Sequence, residues 1–350
     1  MSIESFGKSH GLDISELITA RKISSDNIRK IVDAVTSGDF PPFGNDLDLV
    51  VFGSLARGEC TAKSDADWTI LSDGQINPRF ETISLEVKEE IKKTGLEDPG
   101  TSGMFGNISY SSDLIRYIGG DDDTNHNLSR RLLLLLESER IPIDQSEDSS
   151  GTAYSRVILA ILDRYLKDDS AFFSDHGKED SVPRLLLNDV VRFWRTMCVD
   201  FAFKQVEQKG KKWALRNIKL RMSRKATYLK GVLMCAAFYK RPTTQPEMRA
   251  RLMGIVSTKS LDFIVEELQN NNINNELIAR LLVTYNDFIK MLNNEDLRDA
   301  IERIPMADVY THPAFLAARD NANHFQDALT EIFFKQETPL RNFTFKYALF

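Results

Sequence analysis

Val50-Val51-Phe52-Gly53-Ser54-Leu55-Ala56-Arg57-Gly58-Glu59, followed after a short gap by Ser64-Asp65-Ala66-Asp67-Trp68-Thr69-Ile70-Leu71, decides the fold class of this chain. A Gly-Ser turn at the end of an apolar strand exposes backbone N–H groups and a hydroxyl at the start of a short helix, where polyphosphate binds well. Side chains on a strand repeat with period two, so Asp65 and Asp67 are expected on one face. Two carboxylates so placed can hold Mg²⁺ or Mn²⁺ on a triphosphate that the turn cradles. The same letters also describe an ordinary turn and a solvated Asp-x-Asp face. Against that reading stands the order of elements, which is the one the chemistry requires: a β-rich run over Leu47–Phe52, a short helix over Leu55–Cys60, and a β-prone run over Trp68–Leu71.

Upstream of the motif, helix-like stretches around Ile14–Thr19 and Ser25–Val35 precede the breaker cluster from Gly38 to Gly44, and read as a lead-in helix against a sheet. Beyond the motif, Arg79–Thr94 has apolar positions at Ile83, Leu85, Val87 and Ile91 and reads as a helix. Gly95–Gly103 is a turn-rich loop, Met104–Tyr110 a strand, and Asn127–Glu139 a helix with a leucine face. After about residue 151 helical patterns dominate: Tyr154–Tyr165, Arg184–Gln205, Trp213–Phe238, Asn274–Leu292 and Pro313–Phe334. The alternating tail Arg341–Phe350 reads as a docked strand or extended segment. The polar run Asp144–Gly151 is the linker by composition, dividing residues 1–150 from a helical domain over residues 151–350.

The Gly53-Ser54 turn with Asp65 and Asp67 resembles the signature of the nucleotidyltransferase superfamily that shares its fold with DNA polymerase beta. The wording Arg57-Gly58-Glu59 before Ser64-Asp65 is most similar to the branch of protein-PII uridylyltransferase and glutamine-synthetase adenylyltransferase. The resemblance spans roughly residues 45–137. It implies an α+β fold, with a mixed-sheet polymerase-beta-like domain followed by an α-helical domain. It also implies a metal-dependent transfer of NMP from an NTP such as ATP, with pyrophosphate release. Asp65 and Asp67 would be the catalytic metal ligands, and Gly53 and Ser54 the cradle of the β- and γ-phosphates. A protein hydroxyl is the acceptor nearest to the motif wording; an RNA end, a small molecule or a second nucleotide, as in second-messenger synthases, are alternatives. A catalytically silent nucleotide-binding regulator is the alternative of another class. The family's third acid has no clean counterpart: Lys92, Lys93 and Thr94 stand where that branch carries it, leaving Glu97, Asp98 and Asp113 as candidates.

Other polar groups have two readings each. Arg57 reaches the phosphates from the first helical turn, or stands on a solvated face. Gly119–Asn127 gathers polar groups before a helix, where one or two serve as caps. The stretch Lys209–Lys225 carries eight basic residues and no acid. It is either a nucleotide-facing wall, with Arg216 and Lys219 sharing a helix face with Ser223, or a salt-bridged helix surface.

Composition bounds the rest. The 350 residues, 42% hydrophobic and 27% charged, describe a globular protein, and the net charge of −6 argues against indiscriminate nucleic-acid binding. Cys60, Cys198 and Cys235 lack metal-ligand spacing, and no apolar run approaches a membrane span. The expected location is the cytoplasm, without membrane partners.

Overall fold

In the computed structural model, residues 2–38, 43–100, 103–143, 151–168 and 181–348 are described. The linker over residues 144–150 and the tail's last two residues lie outside them. The chain divides into two compact units. One comprises Arg21–Ala171 and Thr244–Lys259, the other Met1–Ala20, Phe172–Thr243 and Ser260–Phe350.

The first unit is built on a four-stranded mixed sheet of order β3-β2-β1-β4. Strand β1 (Leu47–Phe52) pairs antiparallel with β2 (Trp68–Ser72) and with β4 (Ser138–Arg140), while β2 pairs parallel with β3 (Asn107–Tyr110). Every residue of β1 and β2 is buried, because helices cover both faces. On one face Leu47, Leu49, Val51, Trp68 and Ile70 pack with Ile31 and Val35 of α2 (Ser15–Ser37) and with Phe80, Ile83, Val87 and Ile91 of α4 (Arg79–Lys93). The lead-in helix against the sheet is thus present, as one continuous helix rather than two stretches. The alternating set Asp48, Val50, Phe52, Thr69 and Leu71 faces the other way, and α7 (Ala153–Asp168) packs against β1 and β2. Asp48, buried in that face, accepts from Arg140 Nε and from the Tyr154 amide, both at 2.7 Å.

Helix α6 (Asn125–Leu136), which packs against α7 and β4, carries the leucine face expected of it. Thr124 caps it, accepting from the Asn127 amide, and Asp123 forms a bidentate ion pair with Arg131, whose side chain is fully buried. Arg131 also donates to the Tyr165 hydroxyl and the Leu114 carbonyl. Two of the polar groups before α6 are therefore structural.

The second unit is helical. Its longest helices are Arg184–Glu207 and Asn275–Asn293, and Asn275–Asn293 packs along Pro313–Thr330. The predicted single helix Trp213–Phe238 is interrupted: helices Trp213–Lys219 and Lys225–Ala236 flank a π-helical turn at Leu220–Arg224. The C-terminal segment is helical rather than extended, over Pro339–Phe343 and a π-helical turn Thr344–Ala348. Phe343 and Tyr347 both pack edge-on against Tyr239, and this tertiary docking outweighs the alternation in the sequence. The architecture is α+β: a mixed-sheet unit and a helical remainder.

Candidate active site at the Gly53 turn

Phe52 leaves β1 in extended conformation and the chain turns into α3 (Gly53–Arg57) through Gly53, whose φ is +61°. A side chain there would be strained by the backbone alone, and a Cβ would stand 2.9 Å from Asp67 Oδ2. Asp67 thus lays its carboxylate over the α-carbon of the turn residue. The pairing continues past the end of the ladder, since the Phe52 amide donates to the Asp67 carbonyl at 2.8 Å. Sequence distance of fourteen residues becomes van der Waals contact because β1 and β2 are antiparallel neighbours.

Helix α3 is shorter than the sequence suggests. Gly58, at φ +73°, ends it, donating to the Leu55 carbonyl, and the Glu59 amide closes the cap on Ser54. Ser54 is half-buried, and its Oγ lies 3.7 Å from the Cys60 thiol, which donates to it. Cys60 is fully buried and desolvation pushes its thiol up, so it packs rather than reacts. A Thr61–Ser64 turn, with reciprocal bonds of 2.9 and 3.0 Å, leads to Asp65.

Asp65 and Asp67 precede β2 rather than lie within it. Asp65 forms a lone parallel bridge with Glu97, and the Ala66 amide donates to the Glu97 carbonyl at 2.9 Å. Both aspartates are half-buried, while their neighbours Ala66 and Trp68 point into the core. Paired residues of a parallel bridge project to the same side of a sheet, so Glu97, one of the three acids considered from the sequence, is the one the backbone brings beside Asp65. Asp98 follows it in the loop, and Asp113 lies in α5 (Ser111–Ile115). Among the described residues no set of three or more His, Cys, Asp or Glu side chains stands at metal-binding spacing.

Arg57 is held by two carboxylates: Nε donates to Glu59 at 2.8 Å and Nη1 to Glu137 at 2.5 Å. Lys259 Nζ reaches the Ala56 carbonyl at 2.8 Å and Glu139 at 2.5 Å. The C-terminal end of α3 is therefore fastened to the segment after α6 by two cations. Sequence reasoning missed Glu137, Glu139 and Lys259; their partners lie 80, 120 and 203 positions away, and no local pattern carries such contacts.

Arg216 and Lys219 lie on the helix Trp213–Lys219 of the other unit, both half-buried. Burial, with Arg224 nearby, pulls the Arg216 guanidinium below its ordinary value. Ser223, expected on the same face, falls in the π-helical turn, is buried, and donates to the Lys219 carbonyl.

Residues 28–99, from α2 to the loop carrying Glu97, match the family model of the nucleotidyltransferase domain. The matched segment contains the Gly53-Ser54 turn, both aspartates and the bridge between Asp65 and Glu97. No curated protein matches the chain. No helix among the described residues is long and apolar enough to cross a membrane.

Proposed function

We propose that this protein transfers the NMP moiety of an NTP to an acceptor hydroxyl and releases pyrophosphate. The observation that carries this reading is the contact between the turn and the carboxylate: Asp67 Oδ2 occupies the space a Cβ of residue 53 would need. A phosphate group settled on the amides of that turn would lie directly against an acidic side chain, an arrangement that is repulsive unless a cation sits between them. The hard oxygen donors of Asp65 and Asp67 suit Mg²⁺ or Mn²⁺. Bound there, such an ion would neutralise triphosphate charge and lower the barrier to displacement at the α-phosphorus.

In that displacement the acceptor oxygen forms a bond to the α-phosphorus, the bond from the α-phosphorus to the bridging oxygen breaks, and pyrophosphate departs with the electron pair. Ser54 and the amides of the turn orient the β- and γ-phosphates. Glu97, whose backbone pairs with that of Asp65, is the carboxylate we favour for the acceptor side, where it would take the hydroxyl proton. Arg57, committed to Glu59 and Glu137, keeps α3 in place; contact with phosphate would require it to exchange one of these partners. A protein hydroxyl is the acceptor we favour, supported by the motif wording around Arg57-Gly58-Glu59 alone.

The experiment is to incubate the protein with each α-labelled NTP, Mg²⁺ or Mn²⁺, and a cell extract, and then to separate protein, RNA and small-molecule fractions. Label in the protein fraction supports the favoured acceptor. Label in another fraction keeps the reaction and replaces the acceptor. Absence of label in all three, with NTP still bound, would leave a nucleotide-binding regulator.

A further inference from the structure

The basic stretch of the helical unit divides by charge compensation. Arg221 and Lys225 of that stretch, and Arg195 on the helix Arg184–Glu207, have no carboxylate within ion-pair distance among the described residues, although they gather in one place. Lys225 Nζ lies 5.9 Å from the centroid of the Trp194 ring and donates to Gln326 Oε1 at 2.5 Å. Arg221 Nη1 donates to Asn323 Oδ1 at 3.0 Å. Trp194 is stacked on Tyr228, with ring centroids 5.2 Å apart. Arg195 is exposed on the same helix as Trp194, and its charge acts on Tyr228 and on Cys198. The charged neighbour that acts on Lys225 is Arg221; no carboxylate does. Two amide side chains therefore hold the cations in position without neutralising them.

Like charges repel, and a half-buried ammonium beside a guanidinium is an arrangement that folding alone disfavours. Burial and Arg221 together pull Lys225 down to about 8. The acids nearest in sequence are engaged or directed elsewhere: Asp200 pairs with Lys204, and Glu207 acts on Arg216. Aromatic surface lies beside the cations. Trp194, half-exposed and reached by Lys225, supplies it.

We infer that Trp194, Arg195, Arg221 and Lys225 form a binding surface for a single-stranded nucleic acid, with phosphates on the three cations and a base against the aromatic surface. Cations without counter-charges next to accessible aromatic carbon are the two components by which proteins hold single strands. An acidic peptide would use the cations and leave the aromatic surface unused, which is why the strand is favoured. The inference stands on the helical unit alone and is independent of the transfer reaction.

The test is fluorescence anisotropy with labelled oligo(U) and oligo(dT) across a salt series, accompanied by intrinsic tryptophan emission. Trp68 and Trp213 are buried, so quenching on binding reports Trp194. Three phosphate contacts on a single strand should give a slope of log K against log salt of about −2, at roughly −0.7 per contact. Arg195→Ala, on an exposed side chain, and Lys225→Met should each weaken binding about tenfold, as expected for one charge-assisted contact, and flatten the slope by roughly 0.7. Circular dichroism and a melting curve confirm that each variant is folded. Quenching together with these changes supports the inference. It is overturned if neither oligonucleotide binds at low salt, if both folded variants bind as the wild type does, or if inorganic triphosphate or polyglutamate displaces the strand at equal concentration.

Discussion

Replacing Gly53 by alanine separates the cost of the turn from its function. The left-handed backbone at φ +61° costs an alanine about 1–2 kcal/mol. The new Cβ would meet Asp67 Oδ2 at 2.9 Å, and ordinary contact begins near 3.4 Å, so the carboxylate must retreat by about half an ångström. A displacement of that order in a site where 1 Å costs about a hundredfold should reduce turnover roughly tenfold. Gly58→Ala is the control. Its φ of +73° imposes the same backbone strain, but its Cβ meets only the flexible Arg21 side chain, at 3.3 Å from Cγ. Melting temperature by calorimetry and pyrophosphate release from NTP are the two assays. Both variants should melt a few degrees lower, and Gly53→Ala alone should lose turnover beyond that effect. Equal turnover in the two variants would refute the reasoning, because Asp67 would then not depend on the glycine for its place.

Further expectations concern single groups. Asp65→Asn and Asp67→Asn should each remove metal-dependent turnover by orders of magnitude while the thermal transition stays close to wild type, since both side chains are half-buried at the edge of the core; turnover near wild type in saturating Mg²⁺ would refute the assignment. Asp123→Asn should destabilise the sheet unit by about 3–5 kcal/mol in urea unfolding, by leaving the Arg131 charge buried and half-compensated, and a loss under 1 kcal/mol would contradict this. For Lys225 the sign is fixed by linkage: its folded value of about 8 lies below the ordinary 10.5, so the unfolded state binds more protons between these values and stability gains with pH across that window. Below pH 8 the group destabilises by about 3 kcal/mol before solvent screening and roughly 1–2 after it. Lys225→Met should therefore be more stable than wild type at pH 7, with the difference shrinking toward pH 10; a pH-independent difference in urea unfolding would count against it.

What was legible in the sequence follows a physical division. Helix α4 was readable from Ile83, Val87 and Ile91, which form one buried stripe with Phe80, whereas Leu85, read as apolar with them, stands exposed. Strands β1 and β2 were readable because burial on both faces leaves a continuous apolar run. Strand β4, Ser-Glu-Arg, was not: it is three half-buried polar residues whose strand character comes from bonding to β1. The break at Leu220–Arg224 has no propensity signal, since a π turn is filled by the same residues as a helix. At the candidate site the Gly53 turn was legible because its left-handed backbone admits few residue types, whereas Asp65 and Asp67, expected on the strand, precede it. The clamp on α3 by Arg57, Glu137 and Lys259 was not, because charged residues at such separations have many possible partners.

The most direct test of the account is pyrophosphate release from α-labelled NTP, with acceptor supplied by cell extract and Mg²⁺ present, comparing wild type with Asp67→Asn. The account predicts covalent transfer of the α-label, stoichiometric with pyrophosphate, in the wild type and none above background in the variant. Transfer of equal extent by Asp67→Asn, or transfer of γ-label in place of α-label, would contradict it.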